Sequence, residues 1–144
     1  MKKKVRARNQ INVFNNQRRH RVSTAAIRRF ASSAATALGV ADREMTVQFV
    51  GARKMAQLNW EFRGTRYATD VLSFSGWDAP ELATYLGDIV ICPEAARKNS
   101  SHLARELRIL VLHGMLHLVG YDHEADDGEM DRLEQRLRRR LGLQ

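Results

Sequence analysis

Three of the five histidines in this 144-residue chain fall within eleven residues, as His113, His117 and His123. Residues four apart on an α-helix lie on the same face, so His113 and His117 are expected to point in one direction. Gly120 permits the backbone conformation that ends a helix, and the chain would then turn His123 toward the other two. Three protein ligands with one open position are typical of catalytic zinc, so the spacing predicts a metal site.

The segment that carries the first two histidines is apolar. Apart from its histidines and one glycine, every residue from Ile109 to Val119 is strongly apolar. A helix that is apolar on nearly all sides is normally buried, and polar side chains in such a place need partners. Each histidine could bond a backbone carbonyl, but the spaced triplet ending in Gly-x-x-His favours a shared metal ion.

The same segment narrows the chemistry. It matches the zinc-protease template His-Glu-x-x-His-x-x-Gly-x-x-His at every marked position but one. Gly114 stands where these proteases have the glutamate that acts as general base, and glycine has no side chain to carry a proton. The pattern therefore indicates a metal-dependent hydrolase of another kind, with a zinc peptidase as the less favoured alternative.

Length and composition indicate one globular domain, because the 144 residues are 44% hydrophobic and 28% charged. No apolar run approaches the roughly 20 residues that span a bilayer. The N-terminal segment lacks the apolar stretch of a secretory signal. The single cysteine, Cys92, cannot form an internal disulfide and fits a reducing compartment. We therefore expect a cytoplasmic location and no membrane partner.

The net charge of +8 is concentrated near the N-terminus, where the first 30 residues hold ten of the 24 basic residues and none of the 16 acidic ones. Such a segment indicates a polyanionic partner, and nucleic acid is favoured over a membrane because no strongly apolar face accompanies the charge. Residues 1–9 are predicted to be a flexible basic tail, for which simple solvation is an equal alternative. Residues 10–144 are predicted to form the single domain, with a basic surface that includes Arg18, Arg19, Arg21, Arg28 and Arg29.

Four strands and five helices are predicted around the histidines. Their mixed, not strictly alternating order indicates an α+β fold with a small mixed four-stranded sheet and one buried central helix that carries the metal ligands. The polar connection before the last strand would make strands three and four an antiparallel hairpin with a long loop. In the second helix, Met55, Leu58 and Phe62 are expected to face inward. The predicted strands are 11–14, 45–50, 71–75 and 86–92, and the predicted helices are 24–38, 54–62, 93–98, 100–119 and 126–141.

Three further segments carry recognisable motifs: Leu58-Asn-Trp-Glu-Phe-Arg63-Gly, Thr69-Asp-Val-Leu-Ser-Phe74 and Leu86-Gly-Asp-Ile-Val-Ile-Cys92. Together with the histidine segment, and in the same order, they resemble the YbeY family of endoribonucleases, the bacterial rRNA maturation factors. The resemblance covers roughly residues 10–142. Ala68 and Ser75 stand where the family often has proline, which affects loop rigidity rather than chemistry.

The resemblance implies a zinc-dependent endoribonuclease, specific for single strands, with one zinc ion held by His113, His117 and His123. It implies maturation of the 16S rRNA 3′ end and ribosome quality control, with rRNA and the small ribosomal subunit as partners. Arg63 matches the family's functional arginine, so Arg63, His113 and His117 are the expected catalytic residues. The alternative outside enzymology is a ribosome assembly factor whose zinc only stabilises the fold.

The residues themselves suit an RNA phosphodiester. A metal with an open position polarises a phosphoryl oxygen or lowers the pKa of bound water. The guanidinium of Arg63 can pair with phosphate through two parallel hydrogen bonds, although without the resemblance it would be interpreted as a surface arginine packing over Phe62 or Trp60.

Three carboxylates are candidate partners for the second ring nitrogens of metal-bound histidines: Asp70, Asp88 and Asp122. Asp122 could equally be a turn residue and Asp70 a loop cap. No general base can be assigned among them, and the sequence does not indicate an oligomeric state.

Overall fold

The computed structural model describes residues 10–77, 84–122 and 124–143. The basic tail predicted for residues 1–9 and the third histidine, His123, lie outside the described residues. Within the described ranges the chain forms β1 Ile11–Asn16, α1 Thr24–Ala37, β2 Glu44–Val50, α2 Ala52–Arg63, β3 Val71–Ser75, β4 Tyr85–Ile91, α3 Pro93–Arg97, α4 Leu103–Leu118 and α5 Glu129–Arg140.

The four strands form one mixed sheet in the order β1-β2-β4-β3. Strands β1, β2 and β4 are parallel, and β3 pairs antiparallel with β4. The α+β class, the mixed sheet and the hairpin are therefore confirmed. Strands β1 and β3 are the two opposite edges of this sheet.

Alternating side chains along the strands separate two layers. Val47 and Phe49 of β2, with Ile89 and Ile91 of β4, are buried in the larger core with α1, α4 and α5. The opposite face carries a smaller cluster, in which Leu72 of β3 and Val90 of β4 pack with Met55 of α2. The sheet thus separates α4, which carries the histidines, from α2, which ends at Arg63.

Helix α4 is buried along most of its length, as its apolar sequence predicts. Gly114 brings the helix against β4, because a Cβ atom there would lie 2.9–3.1 Å from three side-chain atoms of Ile89. The glycine at the position of a protease glutamate therefore has a packing role, because any larger residue would press on the Ile89 side chain.

Hydrogen bonds explain where the helices begin. Ser23 caps α1 as predicted, since its hydroxyl accepts from the backbone N–H of Ala26 at 3.2 Å. Helix α4 starts later than predicted, because the Ser100 hydroxyl accepts from the backbone N–H of His102 and forms a turn before the helix. Before α5, Asp126 accepts from the backbone N–H groups of Met130 and Gly128. The bond from Met130 is the main reason that the pKa of this carboxylate is lowered.

The inward position predicted for Phe62 is wrong. Its side chain is 62% exposed and contacts Phe74 edge to face, with ring centres 4.8 Å apart. The buried positions of α2 are Met55 and Asn59, one helical turn apart. A polar residue takes the inward place because its amide is hydrogen-bonded there. No helix among the described residues is long and apolar enough to cross a membrane.

Candidate active site at the end of helix α4

His113 and His117 converge at the C-terminal end of α4. Their Nε2 atoms are 3.2 Å apart, and their ring centres are 4.8 Å apart with the planes inclined by 79°. Both side chains are half-buried, beside the core rather than inside it. The i,i+4 spacing therefore has the effect predicted from the sequence. Gly120 has a φ of 104°, a left-handed value that suits glycine and lets the chain turn after the helix.

The Nδ1 atoms of both rings are engaged. His113 Nδ1 is 2.7 Å from a carboxylate oxygen of Glu134, and His117 Nδ1 is 3.1 Å from the backbone carbonyl of Tyr121. A carbonyl and an ionised carboxylate only accept hydrogen bonds, so each Nδ1 carries the proton and donates. In the neutral rings, the Nε2 atoms then present lone pairs toward one another.

This arrangement fits a bound metal ion. Two facing lone pairs at 3.2 Å repel unless a cation or proton lies between them. Nitrogen ligands lie about 2.0–2.1 Å from zinc, so two of them in a tetrahedral site are roughly 3.3 Å apart. Fixing the Nδ1 proton with a carboxylate or carbonyl is also what metal-binding histidines usually require. His113 and His117 therefore have the spacing and protonation of a ligand pair.

Glu134 is the carboxylate that sequence reasoning missed. It projects from α5, is 6% exposed, and accepts a second bond of 2.6 Å from Arg138. Burial alone would raise the pKa of Glu134, but the hydrogen bond from His113 and the hydrogen bond and charge of Arg138 outweigh it and lower that pKa. One signal was available in the sequence: Glu134 interrupts the apolar stripe of α5 between Met130 and Leu137.

The three aspartates considered from the sequence accept hydrogen bonds from groups other than the histidines, although Asp70 and Asp122 line the same cavity as His113 and His117. Asp122 accepts from the backbone N–H of Glu124, which makes it a turn residue. Asp70 accepts from the side chain of Asn99 at 3.2 Å.

Asp88 accepts from the Tyr85 hydroxyl at 2.7 Å. Burial first, and then the hydrogen bond and charge of Asp88, raise the pKa of Tyr85. The hydroxyl of Tyr85 therefore provides Asp88 with a hydrogen-bond partner away from the histidines.

A cleft of about 640 Å³ opens beside the histidines. Arg63 lines it together with His113 and His117, so the predicted catalytic residues share one cavity. Ser73 and Ser75 of β3 form another part of the wall. Arg63, which is 50 residues from His113 in sequence, reaches this cleft because α2 ends at the edge of the sheet that β3 forms.

Arg63 occupies a well-defined place as the last residue of α2. Gly64 follows in a left-handed conformation, with a φ of 71°, and its N–H bonds the carbonyl of Trp60. The amide of Asn59 then donates to the Thr65 hydroxyl at 2.6 Å and to the Tyr67 carbonyl at 2.9 Å. These bonds fix the connection that follows Arg63.

A different arginine packs on the neighbouring tryptophan. The guanidinium carbon of Arg66 lies 4.5 Å from the centre of the Trp60 ring. The surface packing considered for Arg63 is therefore a feature of Arg66, while Arg63 faces the cleft.

Trp77 is a second residue that the sequence reasoning did not single out. It lines the cleft, and its indole N–H donates to the carbonyl of Leu118 at 2.7 Å. This bond joins the segment after β3 to the end of α4, close to His117.

Within residues 10–77, 84–122 and 124–143, no three His, Cys, Asp or Glu side chains are grouped so that they could hold a metal ion. The third predicted ligand, His123, is not among these residues. The pair His113 and His117 is thus brought together, and the participation of His123 stays a prediction.

Comparisons with known proteins agree on one family. The family model described as "Endoribonuclease YbeY" matches residues 6–142. The protein of that name from Bdellovibrio bacteriovorus is 43% identical over 93 residues, which cover 62% of this chain and 59% of that protein. The one from Anaeromyxobacter sp. is 41% identical over 131 residues, covering 87% of this chain and 68% of that protein. The one from Aromatoleum aromaticum is 40% identical over 126 residues, covering 83% and 77%.

A solved structure supports the fold. The solution structure of TM1509 from Thermotoga maritima superposes with a TM-score of 0.64 at 27% sequence identity, and the alignment covers 92% of this chain and 89% of that one. The chain spans only 59% of the first curated relative and 68% of the second.

Proposed function

The chain belongs to the YbeY family of endoribonucleases, and we propose that it is a hydrolase that cuts RNA internally, in the cleft shared by Arg63, His113 and His117. The observation that carries this proposal is the pair of Nε2 atoms 3.2 Å apart, with both Nδ1 atoms held by acceptors. Two imidazoles with fixed Nδ1 protons and converging Nε2 atoms, at the wall of an open cleft, suit hydrolysis better than a purely structural role.

Zinc is the metal we propose, one ion per chain, held by His113, His117 and His123. Neutral imidazoles suit zinc, and three protein ligands would leave a position for water or substrate. When bound, the ion would supply Lewis-acid activation of a phosphoryl oxygen or of water. Glu134 keeps the proton of His113 on Nδ1, and the Tyr121 carbonyl does the same for His117, so both Nε2 atoms remain available as ligands.

Arg63 is the residue we propose to bind the scissile phosphate. Its guanidinium lines the same cleft as the histidines and can make two parallel bonds to phosphate oxygens. Charge accumulates on these oxygens as the phosphodiester is attacked, so a cation that binds them favours the transition state. Arg63 and the histidines thus have different tasks on one substrate group.

Single-stranded rRNA, with the 3′ end of 16S rRNA and the small ribosomal subunit, is the proposed biological target, and ribosome quality control the proposed setting. The concentration of ten basic residues in the first 30 supports an RNA partner. Arg18, Arg19, Arg21, Arg28 and Arg29 are all exposed, although Arg19 also pairs with Glu94 at 3.4 Å. A cytoplasmic location is proposed with this function, supported by the single buried Cys92.

A peptidase is disfavoured by the packing of α4. The position of the protease glutamate is Gly114, whose missing Cβ already faces Ile89 at 2.9 Å. A residue with a side chain there would displace Ile89 or the helix itself.

Cleavage of a single-stranded RNA, measured together with zinc content, tests the proposal. The native protein should contain about one zinc per chain and cut the RNA, whereas the His113→Ala variant should lose both the zinc and the cleavage activity. His102→Ala is a matched control, because His102 is exposed at the start of the same helix and should leave both unchanged. Zinc-loaded protein that binds small ribosomal subunits but cuts no RNA would instead support the assembly-factor alternative.

A further inference from the structure

Two exposed aromatic rings flank the cleft arginine at the end of α2. Trp60 is 49% exposed and Tyr67 is 65% exposed. Large aromatic side chains in such positions leave apolar surface in water, and they are enriched where proteins bind partners. Their backbone is not loose, because the Asn59 amide bonds the carbonyl of Tyr67 and the hydroxyl of Thr65. The rings are therefore presented on a fixed scaffold.

Positive charge accompanies these rings. Arg66 lies 4.5 Å from the centre of the Trp60 ring, and Arg63 follows Trp60 by three residues, nearly one helical turn. Arg63 lines the cleft that holds the histidines, so Trp60, Arg66 and Tyr67 lie within four residues of a residue of its wall. Glu61, the acidic residue of this stretch, accepts a hydrogen bond from Gln57 on the preceding turn.

We propose that Trp60, Arg66 and Tyr67 form a stacking platform for an unpaired base of the RNA strand whose scissile phosphate is bound at Arg63. This inference rests on the proposed endoribonuclease function and adds to it a site for a flanking nucleotide. The base stacks on the face of the Trp60 ring opposite the one that the Arg66 guanidinium covers. Arg66 supplies a cation at the ring for the adjoining phosphate.

An RNA base fits this surface better than an apolar protein segment or a lipid. Flat rings interleaved with arginines are the usual means of binding single-stranded nucleic acid, because every base has a π face and every link carries a negative charge. An apolar partner would leave the positive charges of Arg63 and Arg66 without an opposite charge. Stacking is also indifferent to base identity and excluded by a duplex, so the platform favours unpaired strands.

Two other exposed aromatic residues lack the features that Trp60 has. Phe14 is 54% exposed, but it lies on β1, the opposite edge of the sheet from β3. Phe62 is 62% exposed, but its ring already packs edge to face on Phe74, with ring centres 4.8 Å apart. Trp60 therefore combines exposure, a cation at its ring and a position three residues before the cleft arginine.

The test compares Trp60→Ala with Phe14→Ala in binding and in cleavage of a single-stranded RNA of about ten nucleotides. Loss of one stacked base should raise both Kd and KM about tenfold, while kcat stays nearly constant because the chemical groups are untouched. Trp60→Phe should restore most of the affinity, and Phe14→Ala should behave as the native protein.

Fluorescence provides a second measurement. The chain has two tryptophans, so Trp77→Phe leaves Trp60 as the sole emitter. Binding of a 2′-O-methyl oligonucleotide, which resists cleavage, should quench Trp60, and an abasic version should quench it less. RNA that binds without changing this emission, or a Trp60→Ala variant with native Kd and KM, would overturn the platform while cleavage itself continued. Quenching by RNA in a protein that never cleaves would support the platform and contradict the proposed enzymatic function.

Discussion

The two walls of the cleft are built in different ways. On one wall, His113 and His117 are half-buried, and their Nδ1 atoms are held by Glu134 and by the Tyr121 carbonyl. On the other wall, Arg63 ends a helix, and its neighbours in sequence Trp60, Arg66 and Tyr67 are exposed.

The two walls differ in how exactly their side chains must be positioned. Ligands of a metal must be held within a few tenths of an ångström, which requires burial and hydrogen bonds from neighbouring elements. A phosphate or a base tolerates a longer, more flexible side chain that reaches out from the surface. We therefore expect changes on the histidine wall to affect chemistry and metal content, and changes on the arginine wall to affect substrate binding and turnover with the metal retained.

The largest effect is expected for His117→Ala. Removing one of two converging ligands should reduce bound zinc to well below one per chain and lower kcat/KM for RNA about a thousandfold or more. Elemental analysis and a cleavage assay on the same preparation measure both quantities, with His102→Ala as the control. Full zinc content in the His117→Ala protein would show that this wall does not bind the metal.

A similar loss of activity, but with zinc retained, is expected for Arg63→Ala. Removing a cation that contacts the transferring phosphate typically lowers kcat about 100- to 1,000-fold. Arg63→Lys should retain only part of the native kcat, because an ammonium cannot make two parallel bonds to phosphate. Arg53→Ala, an exposed arginine on the first turn of the same helix, is the matched control. Loss of zinc in Arg63→Ala would contradict the division between the walls.

Glu134→Gln should weaken zinc binding about 10- to 100-fold, which is the usual effect of changing a residue that orients a metal ligand. Glutamine keeps the size of the side chain but removes the charge that His113 and Arg138 contact. Zinc affinity measured by competition with a chelator gives the effect. Glu129→Gln, an exposed position at the start of the same helix, should leave that affinity unchanged.

The features that the sequence predicted well depend on local periodicity. Strand β3 spans Val71–Ser75 as expected, the other elements agree within a few residues, and the i,i+4 spacing brings His113 and His117 together. Such features follow from helix and strand geometry alone, without knowing how the elements pack.

The features that escaped prediction depend on packing between distant segments. Glu134 meets His113 across 21 residues because α5 packs against α4, and no local pattern specifies that contact. Phe62 was expected inward from its hydrophobicity, yet Asn59 takes the buried place because two of its hydrogen bonds tie the following connection to the helix. The position of Arg63 in the cleft likewise required the sheet order that puts β3 at the edge.

Asn59 gives the smallest effect and tests how the arginine wall is held. Asn59→Ala removes both amide bonds and should lower the free energy of unfolding by about 1–3 kcal/mol, since the Tyr67 carbonyl loses a partner. Thermal or urea unfolding measures this change, with Gln57→Ala, exposed on the same helix, as the control. Because the bonds also fix the segment that bears Arg66 and Tyr67, KM for RNA should rise a few-fold while zinc content stays at the native level. A loss of zinc in the folded variant would mean that the two walls are mechanically coupled and that the arginine wall also supports the metal site.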